Sequence, residues 1–222
     1  MSIFIFKCYT CITYLIDHTM SIFAAVVWLS VVSCALVGSQ ETSEKPNLTT
    51  NENVTREAAC LLQDNVDYNG NLMFSGTIKL TQTSGAALTI EGNITGQATV
   101  GANSKVERGF HVHRFGHIFE SCNFSGSDFN PFNTKHGSIT SQNRHVGDYG
   151  NIELMTKGTV SIKVTDNLSS LFGDNSILGR SLVIHEFEDD LGVKNTEESR
   201  TEGTSGRIVS CCVIALRDET KN

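Results

Sequence analysis

Histidines are concentrated in the central part of this 222-residue chain. Five of the seven fall in one stretch that Asp148 closes, among them His111, His113, His136 and His145. His111 and His113 are two positions apart in an apolar-flanked run, so on a β-strand both side chains point to the same face. His145 and Asp148 are close enough in sequence for a tight turn to aim both at one centre. Imidazole and carboxylate ligands suit zinc or copper, so the stretch predicts a metal site.

The domain reads as short apolar segments separated by turns, which predicts an all-β fold. Few prolines and no helical periodicity favour an antiparallel Greek-key sandwich or barrel. The polar segments 117–149 and 188–206 are long and lack a clear period, which is typical of functional loops. Strands are predicted at 58–63, 71–82, 86–97, 109–116, 150–166 (a hairpin-like pair), 180–186 and 207–216.

The chain resembles the copper/zinc superoxide dismutase family from about Ala58 to about Leu216. The resemblance implies an eight-stranded flattened barrel at 57–217. It also implies an enzyme that converts the superoxide anion to oxygen and hydrogen peroxide through a copper redox cycle. It rests on the order and spacing of five motifs: GFHVHRFG, FNPFNTKHG, RHVGDYGN, GRSLVIHEFEDDLG and CCVIA.

The resemblance also implies a ligand set for each metal. Asp189, in EDDLG, matches a family aspartate that hydrogen-bonds one copper-ligand and one zinc-ligand histidine, and such a partner fixes ring orientation and tautomer. By matching position, the copper ligands are His111, His113 and His185, and the zinc ligands are His136, His145 and Asp148.

The family places one more histidine immediately before FNP, where its imidazolate bridges copper and zinc. Here that residue is Asp128. A carboxylate can bind zinc, so Asp128 can complete a closed four-ligand zinc site, but it is shorter than histidine and has no imidazole bridge. Copper then keeps three imidazoles, with water or Asp128 as the fourth donor. We therefore expect copper binding to survive better than fast turnover.

The family's anion-guiding arginine is also displaced. Its position, three residues before the second disulfide cysteine, holds Ile208, and Arg207 lies one residue earlier. A β-bulge would bring Arg207 to the copper channel, because a bulge re-aims side chains by one position. Otherwise Arg207 is a surface residue. Phe187 and Thr201 stand where the family has loop lysines, so guidance of an anion by local positive charge is expected to be weaker.

Four cysteines fall in the domain. The resemblance implies a disulfide between Cys122 and Cys211, which ties the first long loop to the last strand. Cys60 and Cys212 either form a second disulfide across neighbouring first and last strands or stay as buried free thiols. We favour the free thiols.

Residues 1–38 are predicted to be a signal peptide, with Met1 or Met20 as the initiator, because an uncharged apolar run ends in small residues. The alternative is an uncleaved signal anchor, the one case in which we expect a membrane contact. Residues 39–56 read as a disordered spacer and 218–222 as a tail. Secretion agrees with the even cysteine number and with five N-x-S/T sequons, at Asn47, Asn53, Asn93, Asn123 and Asn167.

The formal net charge of −7 argues against nucleic acid as a partner, which requires a basic face. Oligomeric state stays open. Phe115 and Gly116, with Val213 and Leu216, fit the contact surface of a family dimer, whereas a glycan at Asn123 would sit near it.

Three hypotheses follow. The first is a secreted dismutase of reduced rate, the second a non-catalytic extracellular protein that binds copper or zinc, and the third a structural module that keeps only its zinc site. The intact copper histidines and Asp189 argue against the third, and Asp128 and Ile208 argue against full activity. We favour a retained but impaired dismutase.

Overall fold

The computed structural model describes residues 53–97, 106–155 and 158–217. The predicted leader, most of the spacer with Asn47, and the C-terminal tail lie outside these ranges. None of the helices within them is long and apolar enough to cross a lipid bilayer.

The described residues form one curled antiparallel sheet, as the all-β prediction requires. Eight of its strands have five or more residues, and three are shorter. The long strands are β1 (Thr55–Leu61), β4 (Thr77–Thr83), β5 (Leu88–Gln97), β6 (Val106–His113), β7 (Asp148–Leu154), β8 (Thr159–Asp166), β9 (Ser181–His185) and β10 (Ile208–Val213); the short ones are β2 (Gln63–Asp64), β3 (Met73–Ser75) and β11 (Ala215–Leu216).

The strand order is that of a Greek key. Along the sheet it runs β11-β1-β4-β5-β8-β7-β6-β9-β10-β2, with β3 paired to β5. Thus β5 lies beside β8 rather than beside β6, the next strand in sequence. The sheet also returns to its first strand, because β11 follows β10 directly in the chain and pairs with β1, placing Ala58 opposite Leu216. This closure leaves few free edges.

Two of the differences from the predicted element boundaries have a clear structural cause. β1 begins at Thr55, inside the predicted spacer, because Thr55 pairs with Thr83 and Arg56 donates a 2.6 Å hydrogen bond to the Leu171 carbonyl. The predicted strand 71–82 is divided into β3 and β4 by Gly76, which has a φ of 139°.

A short helix in the second long loop was not predicted. α1 (Glu197–Glu202) begins after Thr196, whose side chain accepts a hydrogen bond from the Ser199 N–H, and it ends at Gly203 in the left-handed region. A helix this short has no apolar period of its own. Its two capping residues, Thr196 and Gly203, instead determine where it forms.

Side-chain alternation places the core inside the barrel and the histidines outside it. On β6, Phe110 and Val112 join the apolar core, while His111 and His113 point to the opposite face. All five residues of β9 are nevertheless buried. Both strands are covered on the outside by the long loops, so the predicted site lies between the barrel wall and these loops.

Adjacent cysteines on β10 serve opposite faces. Cys212 joins the barrel core and forms a disulfide with Cys60 of β1. Cys211 faces outward and forms a disulfide with Cys122, in a separate apolar cluster that includes Ile208. The Cys122–Cys211 disulfide, which was predicted from the resemblance, is confirmed. The preference for free thiols at Cys60 and Cys212 was wrong, because barrel closure brings their Cα atoms to 5.4 Å.

The Cys60–Cys212 crosslink should contribute to stability because it restricts the unfolded chain over a separation of 152 residues. We expect the paired change Cys60→Ala and Cys212→Ala to lower the free energy of unfolding by about 2–5 kcal/mol. Denaturant unfolding under non-reducing conditions measures this, with the Cys122→Ala, Cys211→Ala pair for comparison. An unchanged denaturation midpoint in the first pair would contradict the assigned role.

Candidate metal centre

Three histidines from two neighbouring strands form the first group. His111 and His113 leave the outer face of β6, and His185 ends β9, which pairs with β6. The ring centroid of His185 lies 4.8 Å from that of His111 and 5.4 Å from that of His113. All three side chains are buried. The structure therefore brings together the three predicted copper ligands.

In each of these rings one nitrogen is held and the other is left for a ligand. His111 Nε2 lies 3.0 Å from Asp189 Oδ2, His113 Nδ1 lies 2.9 Å from Ser125 Oγ, and His185 Nδ1 lies 3.0 Å from the Gly206 carbonyl. The opposite nitrogens, His111 Nδ1, His113 Nε2 and His185 Nε2, are buried without a hydrogen-bond partner. Buried orphan nitrogens are costly unless a ligand occupies them, so this donor set fits a copper ion.

The second group joins the first long loop to β7. His136 and His145 come from the loop, and Asp148 begins β7, where it pairs with His111. Asp148 Oδ1 lies 3.0 Å from His136 Nδ1 and 3.1 Å from His145 Nδ1. Two ligands on one tetrahedral zinc, with bonds of about 2.0–2.1 Å, lie roughly 3.3 Å apart. The spacing therefore fits zinc.

The loop backbone fixes how these ligands face. Asp148 Oδ2 accepts hydrogen bonds of 2.9 Å from the N–H groups of Gly137 and His145, which leaves Oδ1 pointing at the imidazoles. His145 Nε2 lies 3.1 Å from the Thr134 carbonyl, so its Nδ1 faces inward. The tight turn expected from the spacing of His145 and Asp148 is present, with a 3.3 Å hydrogen bond from the Asp148 N–H to the His145 carbonyl.

Asp189 connects the two groups, as the resemblance implies. Its Oδ2 lies 3.0 Å from His111 Nε2, and its Oδ1 lies 2.8 Å from His136 Nε2. Gly203 makes room for this contact, because a Cβ at that position would overlap both the Asp189 carboxylate and the His136 ring. One buried carboxylate thus sets the orientation of a ring in each group.

Asp128 lies between the groups and faces both. Its Oδ1 is 3.4 Å from His111 Nδ1 and 3.4 Å from His113 Nε2. Its Oδ2 is 3.2 Å from His136 Nδ1 and 3.3 Å from His145 Nδ1. The prediction that Asp128 can complete the zinc group fits this geometry, and its other oxygen is directed at the copper group.

The carboxylates set the protonation of three histidines. Burial lowers the pKa of His136, but hydrogen bonds to the site's carboxylates outweigh it and raise that pKa to about 12. The same balance raises the pKa of His145 to about 9. For His111, burial lowers the pKa, but the negative charge of Asp128, together with Asp189, outweighs it and raises the pKa to about 10. The ion pairs in turn hold the pKa values of Asp128 and Asp189 below their usual range, despite burial.

The other two histidines are neutral. Burial lowers the pKa of His113 to about 4, with Asp128 offsetting only part of that effect. Burial also lowers the pKa of His185 to about 3, and the positive charge of His111 adds to this. A neutral imidazole is the form that binds a metal, so these two nitrogens are ready to accept one.

Arg207 is a surface residue, which is the second of the two alternatives given above. Its Nε and Nη2 each donate a 2.9 Å hydrogen bond to Glu186, and its Nη1 donates one of 2.7 Å to Asn69. The register between β9 and β10 does shift, but between Ile208 and Ser210, so Ile208 is the residue opposite His185. The bulge therefore brings Ile208, and not Arg207, to the position opposite His185.

Sequence reasoning missed several residues that hold the site. Buried Arg144 forms an ion pair with Asp166 and donates to the carbonyls of His145 and Asp148, which anchors the zinc loop. The Asn151 side chain holds the backbone of Asp189: its Oδ1 accepts a 2.7 Å hydrogen bond from the Asp189 N–H, and its Nδ2 donates one of 2.8 Å to the Asp189 carbonyl. Arg144 and Asn151 stand in RHVGDYGN, and that motif was the available signal. No such signal marked Ser125.

Comparisons with known proteins agree with this geometry. A family model described as copper/zinc superoxide dismutase matches residues 74–214. The chain is 49% identical to "Superoxide dismutase [Cu-Zn] 5" of Dictyostelium discoideum over 110 residues, 50% of this chain and 72% of the relative. It is 43% identical to a Podospora anserina "Superoxide dismutase [Cu-Zn]" over 148 residues, 66% and 93% of the two chains. The crystal structure of the clock protein EA4 is similar with a TM-score of 0.64 and 34% identity, covering 72% of this chain and 94% of that one.

Zinc binding should release protons, because His136 and His145 are protonated at neutral pH in the metal-free protein. We expect close to two protons per zinc at pH 7, falling toward one as the pH rises through about 9 and His145 loses its own proton. The same competition weakens zinc affinity as the pH falls. Calorimetric titration in buffers of different ionisation enthalpy counts the protons. No release at pH 7 would show that the two rings are already neutral.

Proposed function

Because the chain belongs to the copper/zinc superoxide dismutase family, whose model spans residues 74–214, we propose that it is a secreted dismutase of reduced rate. It acts on the superoxide anion and yields oxygen and hydrogen peroxide. The observation that carries the proposal is the set of three buried imidazole nitrogens, on His111, His113 and His185, that have no hydrogen-bond partner. The family uses copper and zinc, and both donor groups of this chain fit those ions.

Some residues of the chain would bind the copper ion, and others orient the residues that bind it. Copper held by the three imidazoles would supply the one-electron couple that the reaction needs. Asp189 and Ser125 hold the far nitrogens of His111 and His113, which keeps both rings aimed at one point. Two buried apolar side chains lie next to His185. Val183 is two residues before it on β9, and Ile208 is opposite it on β10. They limit the access of water to this side of the three histidines.

The reduced rate follows from local charge. The family's guiding position holds Ile208, which carries no charge, and Arg207 is held by Glu186. The two cations of the second long loop, Lys194 and Arg200, also have carboxylate partners. Lys194 Nζ lies 3.5 Å from Asp190, and Arg200 Nη2 lies 3.4 Å from Glu197. Because these three positive charges are each paired with a carboxylate, the field that they provide to draw in superoxide is weak.

Secretion is supported by surface and crosslinking features. The four sequon asparagines that the structure describes, Asn53, Asn93, Asn123 and Asn167, are all exposed. The two disulfides are of a kind that persists in oxidising compartments. The predicted signal peptide is the remaining part of this proposal.

A homodimer is compatible with the surface, though a glycan at Asn123 would oppose it. Phe115 is 48% exposed and Leu216 is 58% exposed, and both are positions that the resemblance assigns to a dimer contact. Asn123 donates to Asp67 at 3.2 Å on an exposed part of the first long loop.

The second candidate function is a non-catalytic extracellular protein that binds copper or zinc. Asp128 and Ile208 favour it, because both replace residues on which family turnover depends while the metal-holding groups stay intact. The two candidates share the same metal site and differ in turnover alone.

Metal content and superoxide dismutation, measured on the same copper- and zinc-loaded secreted protein, separate the candidates. We expect bound copper and a measurable rate in the wild type, and a higher rate in Asp128→His. Bound copper with turnover only in Asp128→His would establish the metal-binding candidate. Absence of copper from both would overturn both and leave a structural module.

Restoring the guiding charge should raise the rate. We expect Ile208→Arg to increase kcat/KM by about tenfold at low ionic strength, with a steeper decline as salt is added, because the new charge lies opposite His185. Ile208→Met is the matched control, since it keeps a long apolar side chain without charge. Equal salt dependence in the two variants would show that this position does not guide the anion.

A further inference from the structure

We propose that the Asp128 carboxylate bridges the two metals, with Oδ1 bound to copper and Oδ2 bound to zinc. This inference rests on the proposed function, because it requires both metals at the two donor groups. It assigns the fourth donor of each site to one side chain. It also gives copper three imidazole nitrogens and one carboxylate oxygen.

The four distances around the carboxylate carry the proposal. Oδ1 lies 3.4 Å from the free nitrogen of His111 and 3.4 Å from the free nitrogen of His113. Oδ2 lies 3.2 and 3.3 Å from the Nδ1 atoms of His136 and His145. Ligands that share one tetrahedral ion are separated by roughly 3.3 Å. Each oxygen is therefore placed as a co-ligand of a different histidine pair.

Within the described residues, no other polar group competes for this carboxylate. Its side-chain contacts are all to the four histidines, and the residue is 5% exposed. An aspartate in an ordinary loop would instead accept backbone N–H bonds, as Asp190 Oδ1 accepts one from Gly192. A buried carboxylate without such donors is expected to bind cations through both oxygens.

The backbone holds Asp128 where this bridge requires it. Asp128 forms an antiparallel bridge with His113, so the loop continues the β-ladder of β6. Hydrogen bonds on either side complete the ladder, from the Arg114 N–H to Ser127 at 2.9 Å and from the Phe129 N–H to Val112 at 2.8 Å. The side chain thus starts from a paired backbone position rather than from a free loop, which makes up for its short length.

A second path between the groups makes a matched control available. Asp189 also joins His111 to His136, but through their far nitrogens. Asp128→Asn replaces one carboxylate oxygen by an amide group and keeps the shape of the side chain. Asp189→Asn makes the same change in the carboxylate that contacts the far nitrogens. The two variants therefore separate a direct bridge from an indirect one.

The decisive measurement is a crystal structure of the copper- and zinc-loaded wild-type protein, with anomalous maps at both metal edges. We expect one Asp128 oxygen at bonding distance from each ion. Both oxygens on zinc, with water as the fourth copper donor, would overturn the bridge and leave the proposed function standing. Empty copper histidines would overturn both. An intact bridge without turnover would overturn the proposed function alone.

Copper EPR provides the test in solution. Adding zinc to the copper-loaded protein should shift the Cu(II) spectrum in the wild type and in Asp189→Asn, but not in Asp128→Asn. The reverse result, with the shift kept in Asp128→Asn and lost in Asp189→Asn, would show that the metals communicate through Asp189 and would overturn the bridge. If Asp128→Asn does not retain zinc, the wild-type crystal structure still decides.

Discussion

The buried contact of Asp189 with His111 and His136 is the constraint on which the site depends. Its two oxygens reach a ring of the barrel wall and a ring of the first long loop, while its backbone is held by Asn151 of β7. The second long loop approaches closely enough for Gly203 to pack against the same carboxylate. Wall and loops therefore meet at one anion, and both donor groups take their orientation from it.

Charge is balanced around this contact without help from the surface. Three buried carboxylates, on Asp128, Asp148 and Asp189, face five buried imidazoles. Two of the imidazoles are kept neutral by burial and three are kept charged by the carboxylates. Isolated buried charges are strongly unfavourable, so the groups stabilise one another only as a set. Divalent ions can replace the protons in such a set without leaving the carboxylates unpaired.

Sequence pattern predicted most of the fold and the membership of both donor groups. The alternation that places His111 and His113 on one face is a property of any strand, and the motifs identified the family. The assignment of copper to one group and zinc to the other stays a prediction. Two features depended on long-range register and could not be read from local pattern. Pairing of Cys60 with Cys212 requires closure of the barrel, and the surface position of Arg207 depends on where the β9–β10 register shifts.

The adjacent cysteines of β10 have a consequence for synthesis of the chain. Cys60 and Cys122 emerge early, but both of their partners lie in the last long strand of the domain. Until that strand leaves the ribosome, the sole disulfide that the domain can form joins Cys60 to Cys122, which is non-native. Correct oxidation of this protein must therefore wait for the last long strand or proceed by thiol–disulfide exchange.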